Sequence, residues 1–244
     1  MKSISYDIDP GGDIQLILKK PNKQNIVPED TTQTVDGKRT NPKFPNPACF
    51  GRYQVFSELY PDGENETPNF EVEVHMRVSS RHLILASRIF RAMLEGPWKE
   101  GNPSSGPIRQ ISAEDWDAVA LAIVLDAIHC RHHDIPKKIQ IGLLARIATI
   151  VDYYQCREAI SFHYEAWAHR GVKNLKHDAS VLQLYVSWVF HDEDEFEIAT
   201  ESVIRRGRGM PGFNTHELPV SGILSRSLHN SSPRIMADLM CLGS

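Results

Sequence analysis

Between Phe70 and Val78 the chain alternates without interruption: Phe70, Val72, Val74, Met76 and Val78 fall on one side, Glu71, Glu73, His75 and Arg77 on the other. A period of two predicts a strand with one face in the core and one in water. Directly after it come Ser79 and Ser80, which can cap a helix, and Leu83, Ala86, Phe90 and Met93 at helical spacing, with Arg81, Arg88, Arg91 and Glu95 elsewhere on the surface. The hydrophobic period thus changes within a few residues, which predicts a strand running directly into a helix. Ser87 offers a second cap, which predicts two short helices at an angle, because a serine inside one continuous helix competes for its backbone donors. Gly96-Pro97 ends the pair.

The flanking sequence supplies the rest of such a layer. After the Gly11-Gly12 turn, Ile14, Leu16 and Leu18 share one face of a short first strand. From 19 to 69 the chain is polar and punctuated by prolines, and reads as a long insertion. Within it Phe50 to Leu59 (FGRYQVFSEL) is aromatic and β-branched enough to form a strand or to dock on the domain. Ile108 to Ile111 predicts a short strand, and Ser112-Ala113-Glu114-Asp115 has the form of a capping box with Asp in place of Glu. Trp116 to His129 is apolar nearly all round, the pattern of a buried central helix.

Pro136 then resets the chain before an amphipathic helix with Leu143, Leu144, Ile147, Ile150, Val151 and Tyr154 in one stripe. Arg157 to His169 continues as a helix with Ile160, Tyr164 and Trp167 inward. Asp178 to Phe190 is expected to bury Leu182, Tyr185, Trp188 and Val189. Asp192 to Arg206 opens on four acids and closes on Arg205, Arg206 and Gly207, as the helix dipole prefers. The remainder, from Arg208, is rich in Gly, Pro and Ser, with a weak amphipathic patch from Ile235 to Leu242.

Composition narrows the function classes. The 244 residues are 41% apolar, enough for a real core, and the net charge of −4, with no basic block, lacks the phosphate-neutralising footprint of a nucleic-acid binder. The longest unbroken apolar run, Ala118 to Leu125, falls far short of the ~20 residues that span a bilayer. Residues 1–7 lack the apolar region of a secretory signal, and Cys49, Cys130, Cys156 and Cys241 are scattered. An intracellular chain, cytoplasmic or nuclear, with free thiols and no membrane partner is the expectation.

Chemically armed motifs are few. Gly207 to Gly212 satisfies G-x-G-x-x-G, but follows a helix instead of a strand and contains Pro211, so a C-cap and loop is the better reading than a dinucleotide cradle. His129-Cys130-Arg131-His132-His133, with Cys156 or His163, holds enough nitrogen and sulfur for zinc, yet no second half closes the site; the plainer reading is the polar end of a buried helix. There is no nucleophile elbow and no Cys/His protease signature, and Asp192 with Glu195 reads as a solvated helix start. No catalytic residue, cofactor or metal is assigned.

The order of elements resembles the BTB/POZ fold, an α+β arrangement of a small sheet on a cluster of helices. Gly12-Asp13-Ile14 resembles the family's first strand, Val78 to Ser87 its second strand running into the first helix, and Ile89 to Leu94 the next helix. Gly96 to Gly101 and Ile150 to Cys156 are similar in particular to the BTB proteins of filamentous fungi, where a helical extension, here Ser187-Trp188-Val189-Phe190 and the acidic helix after it, continues past the core. The resemblance implies a BTB/POZ domain over 12–170, interrupted at about 19–69, a helical extension over 171–206 and an irregular tail over 207–244. It implies that Leu83, Leu85, Ile89, Phe90 and Met93 pack the core, and that the chain is a non-enzymatic protein interaction module, either an adaptor for a cullin scaffold or a self-associating one. Met1 to Gly11 is too short and too rich in Gly and Pro to supply the extra helix that swaps in many dimeric members. A transcription-associated regulator is the alternative implied function, and a zinc enzyme built on the histidine cluster a remote one. Trp98, Trp116 and His132, at the ends of the central helices, are the candidate partner contacts.

Overall fold

The computed structural model describes residues 2–23, 33–35, 38–40, 51–60, 72–96, 108–171, 179–206 and 218. The chain opens with β1 (Lys2–Asp7) and β2 (Ile14–Lys19), followed by a two-stranded antiparallel ribbon of β3 (Gln33–Val35) and β4 (Lys38–Thr40), a 3-10 helix (Gly51–Leu59) and β5 (Val72–Val78). Next come α1 (Ser80–Ala86), α2 (Arg88–Glu95), β6 (Arg109–Glu114), α3 (Ala118–Ile128), α4 (Ile141–Tyr154), α5 (Arg157–Gly171), α6 (Ala179–Phe190) and α7 (Glu193–Arg206). This is a mixed fold of the α+β kind, one small four-stranded sheet against several helices.

The sheet has the order β1-β5-β2-β6, with β5 and β2 antiparallel and the two edges, β1 on β5 and β6 on β2, parallel. Its register builds two rows of buried side chains across all four strands: Ile4, Val74, Leu18 and Ala113, then Tyr6, Met76, Leu16 and Ile111. A slip of one residue would turn each row outward, so the rows and the alternation specify each other. β1 is not anticipated by the sequence reading. Ile4, Tyr6 and Ile8 do alternate with polar residues, and they line the edge of β5 instead of supplying a helix. The turn into β2 needs glycine: a Cβ on Gly12 would stand 2.4 Å from the Val78 carbonyl oxygen, and that backbone cannot yield.

Two helices do follow β5, and Ser87 joins them. Its extended backbone breaks α1, its hydroxyl accepts from the Phe90 amide at 3.0 Å and donates to the Tyr154 carbonyl at 2.5 Å, and Phe90 stacks on Tyr154 at 4.2 Å. Leu83 and Phe90 are core, and Ile89 and Met93 are partly buried against it, but Leu85 is 81% exposed and is not a core residue. In a helix as short as α1 the inward side is used up by Leu83 and, in part, Ile84 and Ala86, which leaves Leu85 facing water.

The predicted capping box is also not the one used. Ser112 points outward from β6, because pairing with β2 carries that strand on to Glu114. The cap of α3 is Asp117, whose carboxylate accepts from the Ala120 amide at 2.8 Å. Every residue of α3 is buried. The sheet and α4 and α5 enclose it, and the insertion contributes the 3-10 helix, which sinks Tyr53 and Phe56 against α3 and β1 instead of forming a strand. The segment expected as a helical extension packs on this core: α6 lies against α4, and α7 against α6. Within it Leu182, Tyr185 and Val189 are buried as expected, while Trp188 is 37% exposed and rests on Phe196 at the surface. The G-x-G-x-x-G stretch, the 235–242 patch and Gly207 lie outside the described residues. Among the described residues no helix is long and apolar enough to cross a membrane.

Candidate interaction surface

Of the three residues expected to meet a partner, Trp98 lies outside the described residues. Trp116 and His132 stand at opposite ends of α3, separated by about 16 Å of helix, so they do not form one patch.

At the N-terminal end Trp116 is half-buried, packed edge-on against Tyr153 at 5.3 Å and tilted on Tyr154 at 6.2 Å. Tyr153 is the more exposed of this aromatic set. Beneath it Asn22 bonds to the ends of two elements: it donates to the Leu59 carbonyl at 3.1 Å and accepts from the Ala118 amide at 2.9 Å. Asp117 is buried and faces Arg146 at 3.4 Å.

The C-terminal end is more polar. Asp126, fully buried in the last turn of α3, accepts from the hydroxyls of Tyr6 at 2.6 Å and Tyr53 at 2.9 Å. Burial pushes the Asp126 carboxyl above its ordinary range, although the two hydroxyls pull the other way. Around it Arg52 and Arg131 both donate to Asp134, at 3.0 and 3.3 Å, and reach the carbonyls of Asp7 and Ile8. Partial burial pushes Asp134 up, but those two guanidinium groups hold it below the usual carboxylate range. The sequence signal for this cluster is a single charged residue in an otherwise apolar buried helix, which demands partners from elsewhere.

The histidines of the predicted cluster separate. His129 is buried, its Nε2 accepting from the Ser79 amide at 2.9 Å while Nδ1 donates to the Leu125 carbonyl at 2.7 Å. Burial lowers its pKa, as does His82 stacked at 4.9 Å. His132 is exposed and meets His163 of α5, Nδ1 to Nε2, at 2.9 Å; burial and that neighbour lower the His163 pKa. His133 points into solvent, and Cys156 is buried at the start of α5 with its thiol pushed up to about 12 by desolvation. Among the described residues no three His, Cys, Asp or Glu side chains converge as a metal site.

What the surface does present is apolar side chains on firm helices. Phe162, beside His163, is 73% exposed, and Leu85 shares the exposed side of its helix with Arg81 and His82. Ile198 stands among the acids of α7. Exposed anchors held by a rigid scaffold are the form in which a few residues supply most of a binding energy. Leu85, Phe162 and Ile198 are exposed apolar residues that the sequence reading does not single out as surface, because hydrophobicity alone assigns a leucine to the core. The chain matches no model of a known protein family and no curated protein.

Proposed function

We propose that the chain is a non-enzymatic protein interaction module of BTB type that serves as an adaptor for a cullin ubiquitin ligase scaffold. The observation that supports this reading is the succession β2, β5, α1 and α2 broken at Ser87, β6, then the buried α3, which follows the order the sequence resemblance implies. The α6–α7 pair follows this core in the chain, where the resemblance implies a helical extension. The insertion, anchored on α3 through Tyr53 and Phe56, and the exposed apolar residues of the helices are the surfaces on which a partner and a recruited target would sit.

Affinity capture of the tagged full chain from a native lysate of its own organism, with mass spectrometry of what co-purifies, tests this. Cullin in stoichiometric amount is the expected result. A different defined partner would leave an interaction module outside the ubiquitin system, and if nothing is retained above background the interaction reading fails.

A further inference from the structure

Leu85 raises the question of what an 81% exposed leucine does on an ordered helix. Along α1, Arg81, Leu85 and His82 occupy one arc of about 100°, with the leucine between the other two. α2 adds Arg88 and Arg91 on its own exposed side. The Arg91 guanidinium reaches back to the Ile84 carbonyl at 3.2 Å, which brings the second helix's charge beside Leu85, and Arg88 is steadied by Gln155 at 2.7 Å. Glu95 is the one acid in the two helices. The face is therefore an apolar knob in a basic ring.

Its complement is on the same chain. The exposed side of α7 carries Glu193, Asp194, Glu197 and Glu201 in a continuous stripe. Apolar groups border that stripe: Ile198, 58% exposed, on one side and Phe196 with Trp188 on the other. Acids also favour the first turn of the helix for its own sake, but that does not account for Glu197 further along, nor for the apolar border.

We propose that the α1–α2 face of one copy of this chain docks on the α7 face of a second copy, with Leu85 seated on the apolar border and Arg81, Arg88 and Arg91 against Glu193, Asp194 and Glu197. The inference rests on the reading of the chain as an interaction module and names a partner for it. Size limits the form it takes. A 14-residue helix is about 21 Å long, and a single contact of this kind falls below the roughly 1,200 Å² of a stable interface. A twofold axis repeats the contact and closes the assembly as a dimer, where a single contact would propagate a chain. The dimer is weak and sensitive to salt.

Sedimentation velocity of the full chain tests this at low and at high salt, with Leu85→Asp, Arg81→Glu and Glu197→Arg, all at exposed positions where folding is unaffected, as circular dichroism checks. The expected result is a monomer–dimer equilibrium in the wild type that weakens at least tenfold in high salt and in each variant. Mixing Arg81→Glu with Glu197→Arg is the decisive arm: each alone sets like charges together, whereas the mixed pair has one native and one reversed contact and regains the dimer. A wild type that stays monomeric at low salt, or a mixture no more associated than its components, overturns the inference. A monomer that still captures cullin refutes this contact and leaves the adaptor reading standing; a dimer with no cullin does the reverse.

Discussion

Two buried aspartates on α3 solve the same problem by different means. Asp117 sits at the N-terminus, where the helix dipole favours a negative charge, where its own helix supplies an amide donor, and where Arg146 faces it. Asp126 sits in the last turn, where the dipole opposes it. There one carboxylate oxygen receives two tyrosine hydroxyls, and the other has Arg131 no nearer than 3.9 Å. The first acid is accommodated by its neighbours in sequence. The second is accommodated only when β1 and the 3-10 helix of the insertion have docked, since Tyr6 and Tyr53 come from those elements. Asp126 therefore ties both elements to one buried carboxylate.

The largest effect follows from that. Asp126→Ala strands two buried hydroxyls, each costing about 1–3 kcal/mol, and should destabilise the protein by about 3 kcal/mol or more in urea unfolding. The triple variant Asp126→Leu, Tyr6→Phe, Tyr53→Phe removes every partner together and should recover most of that loss, because replacing a whole buried polar group by apolar residues is near neutral. If the triple variant is worse than Asp126→Ala, the cluster is not the unit described.

The same contrast explains what was legible in the sequence. β2, β5 and the helices α1 to α7 were legible because alternation and helical stripes are local records of burial, and the break at Ser87 was legible because a serine inside a helix competes for backbone donors. The partners of Asp126 lie 120 and 73 residues away, and nothing in the chain near Asp126 names them. β1 was missed because its few alternating residues gain a partner only from β5. Leu85 was misplaced because hydrophobicity records what a residue prefers, not how many inward positions a two-turn helix has. The capping box failed because a strand pairing decided where α3 could start.

Asp117→Ala should cost less than Asp126→Ala, about 2 kcal/mol, combining a lost N-cap with an arginine left without its acid. Hydrogen exchange would locate the damage. Fast exchange confined to the first turn of α3 is expected, whereas loss of protection in the 3-10 helix would mean that Asp117 also holds the insertion. Smaller again are the single tyrosine changes, Tyr6→Phe and Tyr53→Phe, at about 1–2 kcal/mol each. A double-mutant cycle with Asp126→Asn should show coupling for both, and additive costs would mean that the two hydroxyls are satisfied elsewhere.

The smallest effect is on pH, and its sign separates Asp126 from its own neighbour Asp134. Asp126 has a folded-state pKa above its unfolded one, so its contribution is fully present below the unfolded value and is lost as pH rises through the folded value. Asp134, held down by Arg52 and Arg131, contributes above its unfolded value and loses that as pH falls through the folded one. Asparagine at either position titrates nothing. Between pH 7 and pH 4 the wild type should therefore gain stability relative to Asp126→Asn as acid is added. Below pH 4 it should lose stability relative to Asp134→Asn, only slightly, because Asp134 is partly solvated. Urea midpoints of the three proteins across that range read both differences. Equal slopes for the two variants would mean that Asp126, like Asp134, is held down by its donors more strongly than burial raises it, so that burial does not set its charge.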